Sequence, residues 1–245
     1  MRSFFGVTLV SALVLLIAPL LALAEAGRSN SALEAFSLRL QTALNSDSAA
    51  QFEIIAIPEL QPALVQRYQR FRRDFPEVNW RVEPAAPLAD GRETLLLRVR
   101  GDAESAGLSY RLEALERIAI LLTDGRMVAH ELVAHESLLR SGERPLAVTV
   151  HIPDAVLTGS RYDIDLIVEE PLGQALVSAG LIDLTKKQVE QQIRPNVPLA
   201  PMGGGGLFKS VQAPQLPGSQ TWALLLVHPD GVVTATKRVR VVSSF

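Results

Sequence analysis

The sequence contains no cysteine, which excludes disulfide scaffolds, thiolate metal sites, iron–sulfur clusters, cysteine nucleophiles and lipid attachment through an amino-terminal cysteine. A basic surplus is missing too. The 24 Lys and Arg stand against 26 Asp and Glu, a formal net charge of −2, which argues against wholesale nucleic-acid binding. Glycine (16) and proline (15) are near average usage and show no G-X-Y period, so collagen-like and low-complexity readings fail. With 48 % apolar and 20 % charged residues, disorder over most of the length is excluded as well. No G-x-S-x-G nucleophile elbow occurs, and no apolar run after the first 24 residues nears the length of a membrane span.

The first 24 residues have the form of an export signal. Met1 and Arg2 make a short positive start, Phe4 to Leu21 is apolar apart from Gly6, Thr8, Ser11 and Pro19, and Ala22-Leu23-Ala24 is a small-x-small cleavage site. The expectation is a secretory signal peptide cleaved after Ala24, which delivers the chain to a periplasm or a thylakoid lumen. A retained membrane anchor is the rival, and Pro19 just before the cleavage site favours cleavage.

The remainder divides near Ser141-Gly142-Glu143-Arg144-Pro145. Residues 25–141 begin with a helical stripe of Ala32, Leu33, Phe36, Leu40 and Leu44, with Ser31 as its expected N-cap. A second helix, from Pro58 or Pro62 to Phe75, lines Leu60, Leu64, Tyr68, Phe71 and Phe75 on one face. Strand patterns follow at 79–83, 94–100, 108–122 and 127–139, the last two joined by the hairpin turn Asp124-Gly125. Residues 145–245 alternate as strands do, with a short helix expected at 186–193 and a closing hairpin around His228-Pro229-Asp230-Gly231. Pro195 to Pro217, with its four consecutive glycines, reads as a long excursion outside the core. The expected fold class is α+β: helices packed on a curved, cone-like antiparallel sheet, then an all-β, immunoglobulin-like sandwich.

Four places invite a chemical reading. His130-Glu131-Leu132-Val133-Ala134-His135 is one residue longer than the zinc pattern H-E-x-x-H. Five residues turn two helical side chains about 140° apart, and on a strand send them to opposite faces, so no metal is expected. If Asp124-Gly125 sets the register, Glu116, Glu131 and His135 share a strand face, either as an acid–base or ligand group or as a solvated face. Gly203 to Ser210 misses the phosphate loop, because Phe208 stands where the loop needs glycine and no strand or helix flanks it. Leu207 and Phe208 are instead candidates for presentation to a partner on a flexible loop, or the stretch is a mobile connection that returns Phe208 to the core. Arg67, Arg70 and Arg73 form a stripe suited to an acidic protein surface or anionic headgroups, or simply a solubilising face. Asp163, Asp165, Glu169 and Glu170 alternate along a strand instead of wrapping a loop, so calcium is not expected.

The helix pair followed by long strands ending in Met127–Leu139 resembles the cone-shaped fold of nuclear transport factor two and ketosteroid isomerase-like proteins, over roughly residues 30–141. That resemblance implies a concave pocket and, in the family's enzymes, a carboxylate base opposite tyrosine or acid donors. Tyr68 and Tyr110 are the tyrosines of this half, and neither matches the family position by position, so no catalytic residue is carried over. Arg161-Tyr162-Asp163-Ile164-Asp165 to Glu170-Pro171-Leu172, Gly203 to Lys209 and Trp222 to Gly231 resemble uncharacterised exported proteins of cyanobacteria, which implies an exported location and no known activity. The expectation is a non-enzymatic interaction or assembly protein without a cofactor, with an unknown protein partner, no nucleic acid and homodimerisation open. The alternative is a ligand-binding protein or enzyme that uses Glu116, Glu131 and His135 in the cone pocket.

Overall fold

The computed structural model describes residues 26–245 except 106, 143–145, 192 and 194, and at 26–30 and 190 the backbone alone. The expected export signal, 1–24, lies outside the described residues, as does most of the expected linker. The fold is α+β, built around a large antiparallel sheet. Among the described residues the chain forms two compact units, one of residues 26–101 and 115–133, the other of 102–114 and 134–245.

The first unit carries α1 (Ala26–Asn45), a 3₁₀ turn (Ala49–Glu53), α2 (Gln61–Asp74), β1 (Glu77–Ala85) and parts of β2 (Glu93–Ser105), β3 (Leu108–Thr123) and β4 (Arg126–Ser141). In α1 the apolar stripe buries Leu33, Phe36, Leu40 and Leu44, while Ala32 is exposed. Ser31 lies inside the helix instead of capping it, because a nucleated helix extends at little cost through the residues before it. Pro62 sits in the first turn of α2, where its missing N–H breaks no bond. Tyr68 and Phe71 are buried behind it, and the rings pair at centroid distances of 5.2 Å for Phe52–Tyr68, 5.3 Å for Phe71–Phe75 and 5.2 Å for Phe71–Trp80. These are tilted arrangements that favour the edge-to-face quadrupole. The turn joining β3 to β4 has φ +50° at Asp124 and +72° at Gly125, the type I′ geometry expected of Asp-Gly.

Among the described residues strand β1 ends the sheet, so one row of its backbone groups lacks a neighbouring strand. Helix α1 supplies one in side-chain form. Asn45 accepts from Trp80 N–H at 2.8 Å through Oδ1 and donates to Trp80 C=O at 2.8 Å through Nδ2, and Gln41 Oε1 accepts from Val82 N–H at 2.9 Å. The next position of that parity is Pro84, which has no N–H to offer. Two amides and a proline therefore close the edge against strand addition.

In the second unit, the end of β4 pairs with β12 (Gly231–Val242), β12 with β11 (Gly218–His228), β11 with β8 (Ser178–Asp183), and β8 with the two-residue β9 (Ala200–Pro201), all antiparallel. Strand β6 (Ala155–Leu157) joins β12 in parallel. A second sheet runs β10 (Gly206–Gln212), β7 (Arg161–Val168), β5 (Val148–His151). The two sheets share apolar cores: Leu166 and Val168 meet Leu224, Leu226, Val233 and Ala235, while Tyr162 and Ile164 meet Trp222, Val239 and Val241. Trp222 Nε1 donates to Tyr162 Oη, and Tyr162 in turn donates to Gln220 Oε1, both at 2.8 Å, so the polar tips of the core aromatics have partners. Helix α3 (Lys186–Glu190) ends before 193; its N-terminus is a capping box between Thr185 and Gln188.

One expectation is corrected outright. The Pro195–Pro217 stretch contains a seven-residue strand, β10, whose Leu207 and Val211 pack onto the two cores. Two inward apolar residues separated by Lys209, directly after four glycines, make a period-2 signal too short to read against its flanks.

Candidate functional site

The three polar residues of β3 and β4 do not form a solvated face. Glu116 and His135 are 2 % and 3 % exposed. Glu131 is half-buried and takes a 2.5 Å ion pair from Arg92, which Asp90 also holds at 2.8 Å. These bonds, that to Glu131 first, hold the Arg92 guanidinium above its usual pKa. His135 Nε2 lies 2.8 Å from Thr236 Oγ1, and Ser137 Oγ lies 2.6 Å from that same hydroxyl. Ser137 and Thr236 are register partners of β4 and β12, so the imidazole sits at the end of a short chain of hydroxyls. Thr234, of the same parity on β12, is 7 % exposed, and its Oγ1 has no hydrogen-bond partner among the described residues. Sequence reasoning missed this threonine row. Its signal, threonine at alternate positions of a strand, is common on solvated faces and marks a buried one only once the fold is known.

The two histidines of the zinc-like motif have different surroundings. His130 is largely buried, its Nδ1 has no hydrogen-bond partner among the described residues, and burial together with the nearby positive charge of Arg67 pushes its pKa down to about 4. Among the described residues no group of three His, Asp or Glu is placed to hold a metal ion.

The arginine stripe is unevenly presented. Arg67 and Arg70 are half-buried and engaged, and Arg73 is exposed. The adjacent Arg72 pairs with Asp47. Asn45, Asp47 and the carbonyl of Ser46, which accepts from Tyr68 Oη, thereby tie the end of α1 to α2 and β1.

Leu207 and Phe208 point in opposite directions. Leu207 packs on the core, whereas Phe208 is 66 % exposed on the outer face of the β10–β7–β5 sheet. Its ring lies over Gly206, where an added Cβ would come within 2.9 Å of it. Across the sheet Phe208 is in register with Asp165, and Asp165 with His151; Ser210 is in register with Asp163. The acidic residues of β7 are strand positions on this face, Asp163 exposed and Asp165 half-buried.

Residues 143–242 match a family described as Domain of unknown function (DUF8623). The match covers every strand from β5 to β12 and less than half of the chain. No curated protein matches the chain. Among the described residues no helix is long and apolar enough to cross a membrane.

Proposed function

We propose that this protein is an exported, non-enzymatic interaction or assembly protein of two modules. The first has helices on a cone-like curved sheet; the second is a β-sandwich of the immunoglobulin kind. The observation that carries the reading is Phe208: an aromatic ring two-thirds exposed in the middle of a sheet-end strand, on the family-matched part of the chain. Large exposed aromatics at a rigid surface are typical binding anchors. The test is native mass spectrometry of residues 25–245, purified gently from the native host beside a Phe208→Asp variant. A protein subunit at defined stoichiometry that the variant loses is the expected result. A bound small molecule without a protein subunit overturns the reading.

A second reading, a ligand-binding or enzymatic protein, draws support from the burial of Glu116 and His135. Buried ionisable groups are costly and concentrate at functional sites. Under that reading His135→Ala abolishes binding of the co-purified small molecule at temperatures where the variant is still folded, although the lost packing and hydrogen bond lower its thermal midpoint under either reading. Under the first reading it leaves partner binding unchanged.

A further inference from the structure

We propose that the outer edge of β10 is a strand-addition site for an extended, lysine- or arginine-bearing segment of a partner protein; this rests on the protein-interaction reading and names its surface. The backbone geometry carries the inference. Val168 N–H donates to Gly205 C=O at 2.8 Å, and Ala213 N–H donates to Ser160 C=O at 2.8 Å, one at each end of the β10–β7 ladder. In an antiparallel pair the bonded positions alternate, so Leu207, Lys209 and Val211 bond to β7. Gly206, Phe208, Ser210 and Gln212 therefore direct N–H and C=O away from the sheet, and none of these groups has a backbone partner among the described residues.

The other strand ends are treated differently. Beside β1, α1 side chains and Pro84 close the edge; β9 is two residues long and ends in Pro201; β5 spans four residues. Strand β10 offers seven residues with no proline. Unprotected edges of that length are where extended chains add.

Charge chooses the occupant. An added strand lays alternate side chains on the outer face directly beside Phe208 and Ser210. The carboxylates of Asp165 and Asp163 lie one strand further in, on β7, about 10 Å from the added backbone and within reach of an extended lysine or arginine side chain. Glu169 and Glu170 lie beyond the end of β7, and Arg161 is on the same face at the Gln212 end. A cationic side chain there gains both the carboxylates and the face of the Phe208 ring. A second copy of this chain has only Gly206, Phe208, Ser210 and Gln212 at the outer-facing positions of its own β10, so it brings no cationic side chain toward these carboxylates.

The probe is a fluorescein-labelled (Lys-Thr)₄ peptide, added to residues 25–245 at low salt, with (Glu-Thr)₄ as its control. The expected result is saturable binding at least tenfold tighter for the lysine peptide, with amide exchange at Phe208 and Ser210 slowed at least fivefold. Ser210→Pro removes an outward N–H and no bond to β7, and it should weaken binding at least tenfold; Asp163→Asn with Asp165→Asn should weaken it several-fold. Phe208→Ala, a surface truncation with unchanged melting, should weaken it as well. Equal binding of the two peptides, no protection at 206–212, or an affinity that Ser210→Pro leaves unchanged overturns the proposal. So does a dimer of this chain, seen by sedimentation, that Ser210→Pro dissolves. A native protein partner whose cross-links avoid β10 overturns it too, while the interaction reading stands.

Discussion

At the scale of single residues, His130 is the clearest case of surroundings overriding ordinary chemistry. Its pKa in the folded chain, about 4, lies below the ordinary 6.5 because burial and Arg67 both oppose a second proton. The unfolded chain therefore takes up that proton first as pH falls. The stability from keeping His130 neutral is complete above about pH 6.5, declines as pH falls through the interval to 4, and amounts to about 3 kcal/mol at most. Urea melts at pH 7 and pH 4.5 should show this loss, and His130→Gln should flatten the dependence. Lys237 balances opposite influences: burial alone would lower its pKa, and the bonds to Asp154, at 2.7 Å, and Glu136 outweigh it and hold the ammonium above its usual value. Gly231 is constrained by space. A Cβ there would come within 2.1 Å of the Ser141 carbonyl oxygen, and Ser141 Oγ accepts from Val232 N–H at 2.9 Å beside it. Gly231→Ala should cost roughly 2–3 kcal/mol, as overpacking does, measured by denaturant midpoint.

At the scale of elements, the end of α1 acts as a substitute strand. Replacing Gln41 and Asn45 together by alanine removes three hydrogen bonds to β1. Each is worth about 1 kcal/mol net, so a loss of about 2–3 kcal/mol is expected. The uncovered edge should also add chains. Light scattering should find the double variant associating at concentrations where the parent chain stays at one mass, and an unchanged mass would show that the amides stabilise the edge without guarding it. The periodicity of α1 and α2 was plain in the sequence because one apolar stripe per helix suffices to bury it, as Phe36 and Phe71 do. That the polar side of α1 faces a strand edge was not legible. Nothing in the spacing of Gln41 and Asn45 separates an amide bonded to backbone from one bonded to water.

At the scale of the whole molecule, the composition break at Ser141–Pro145 and the family match starting at 143 suggest a cut there. The strand pairing argues against one. Positions 136–140 of β4 pair with 233–237 of β12, so a chain ending at 142 exposes the backbone edge of β4 beside Leu138 and Leu139. The fragment 25–142 is expected to associate or precipitate on removal of its fusion partner, whereas 25–245 gives a single species by size-exclusion chromatography with light scattering. A monomeric, cooperatively melting 25–142 would show that β4 needs no strand from the second half.

What the sequence determined by itself was local: helix faces from three-and-four spacing, the type I′ turn from Asp-Gly, and long alternating strands such as Tyr162–Val168, whose inward positions are all buried. These follow from contacts within a few residues, where periodicity and turn chemistry act directly. Tertiary structure alone decided the rest. It buried Glu116 and His135 where alternation leaves a strand face equally free to meet water or core, and it made a strand of Gly206–Gln212 by giving Leu207 and Val211 cores to enter. It also closed one sheet end with α1 while leaving β10 open. Burial and edge exposure depend on which distant segment lies alongside, and a single strand's pattern carries no information about its neighbour.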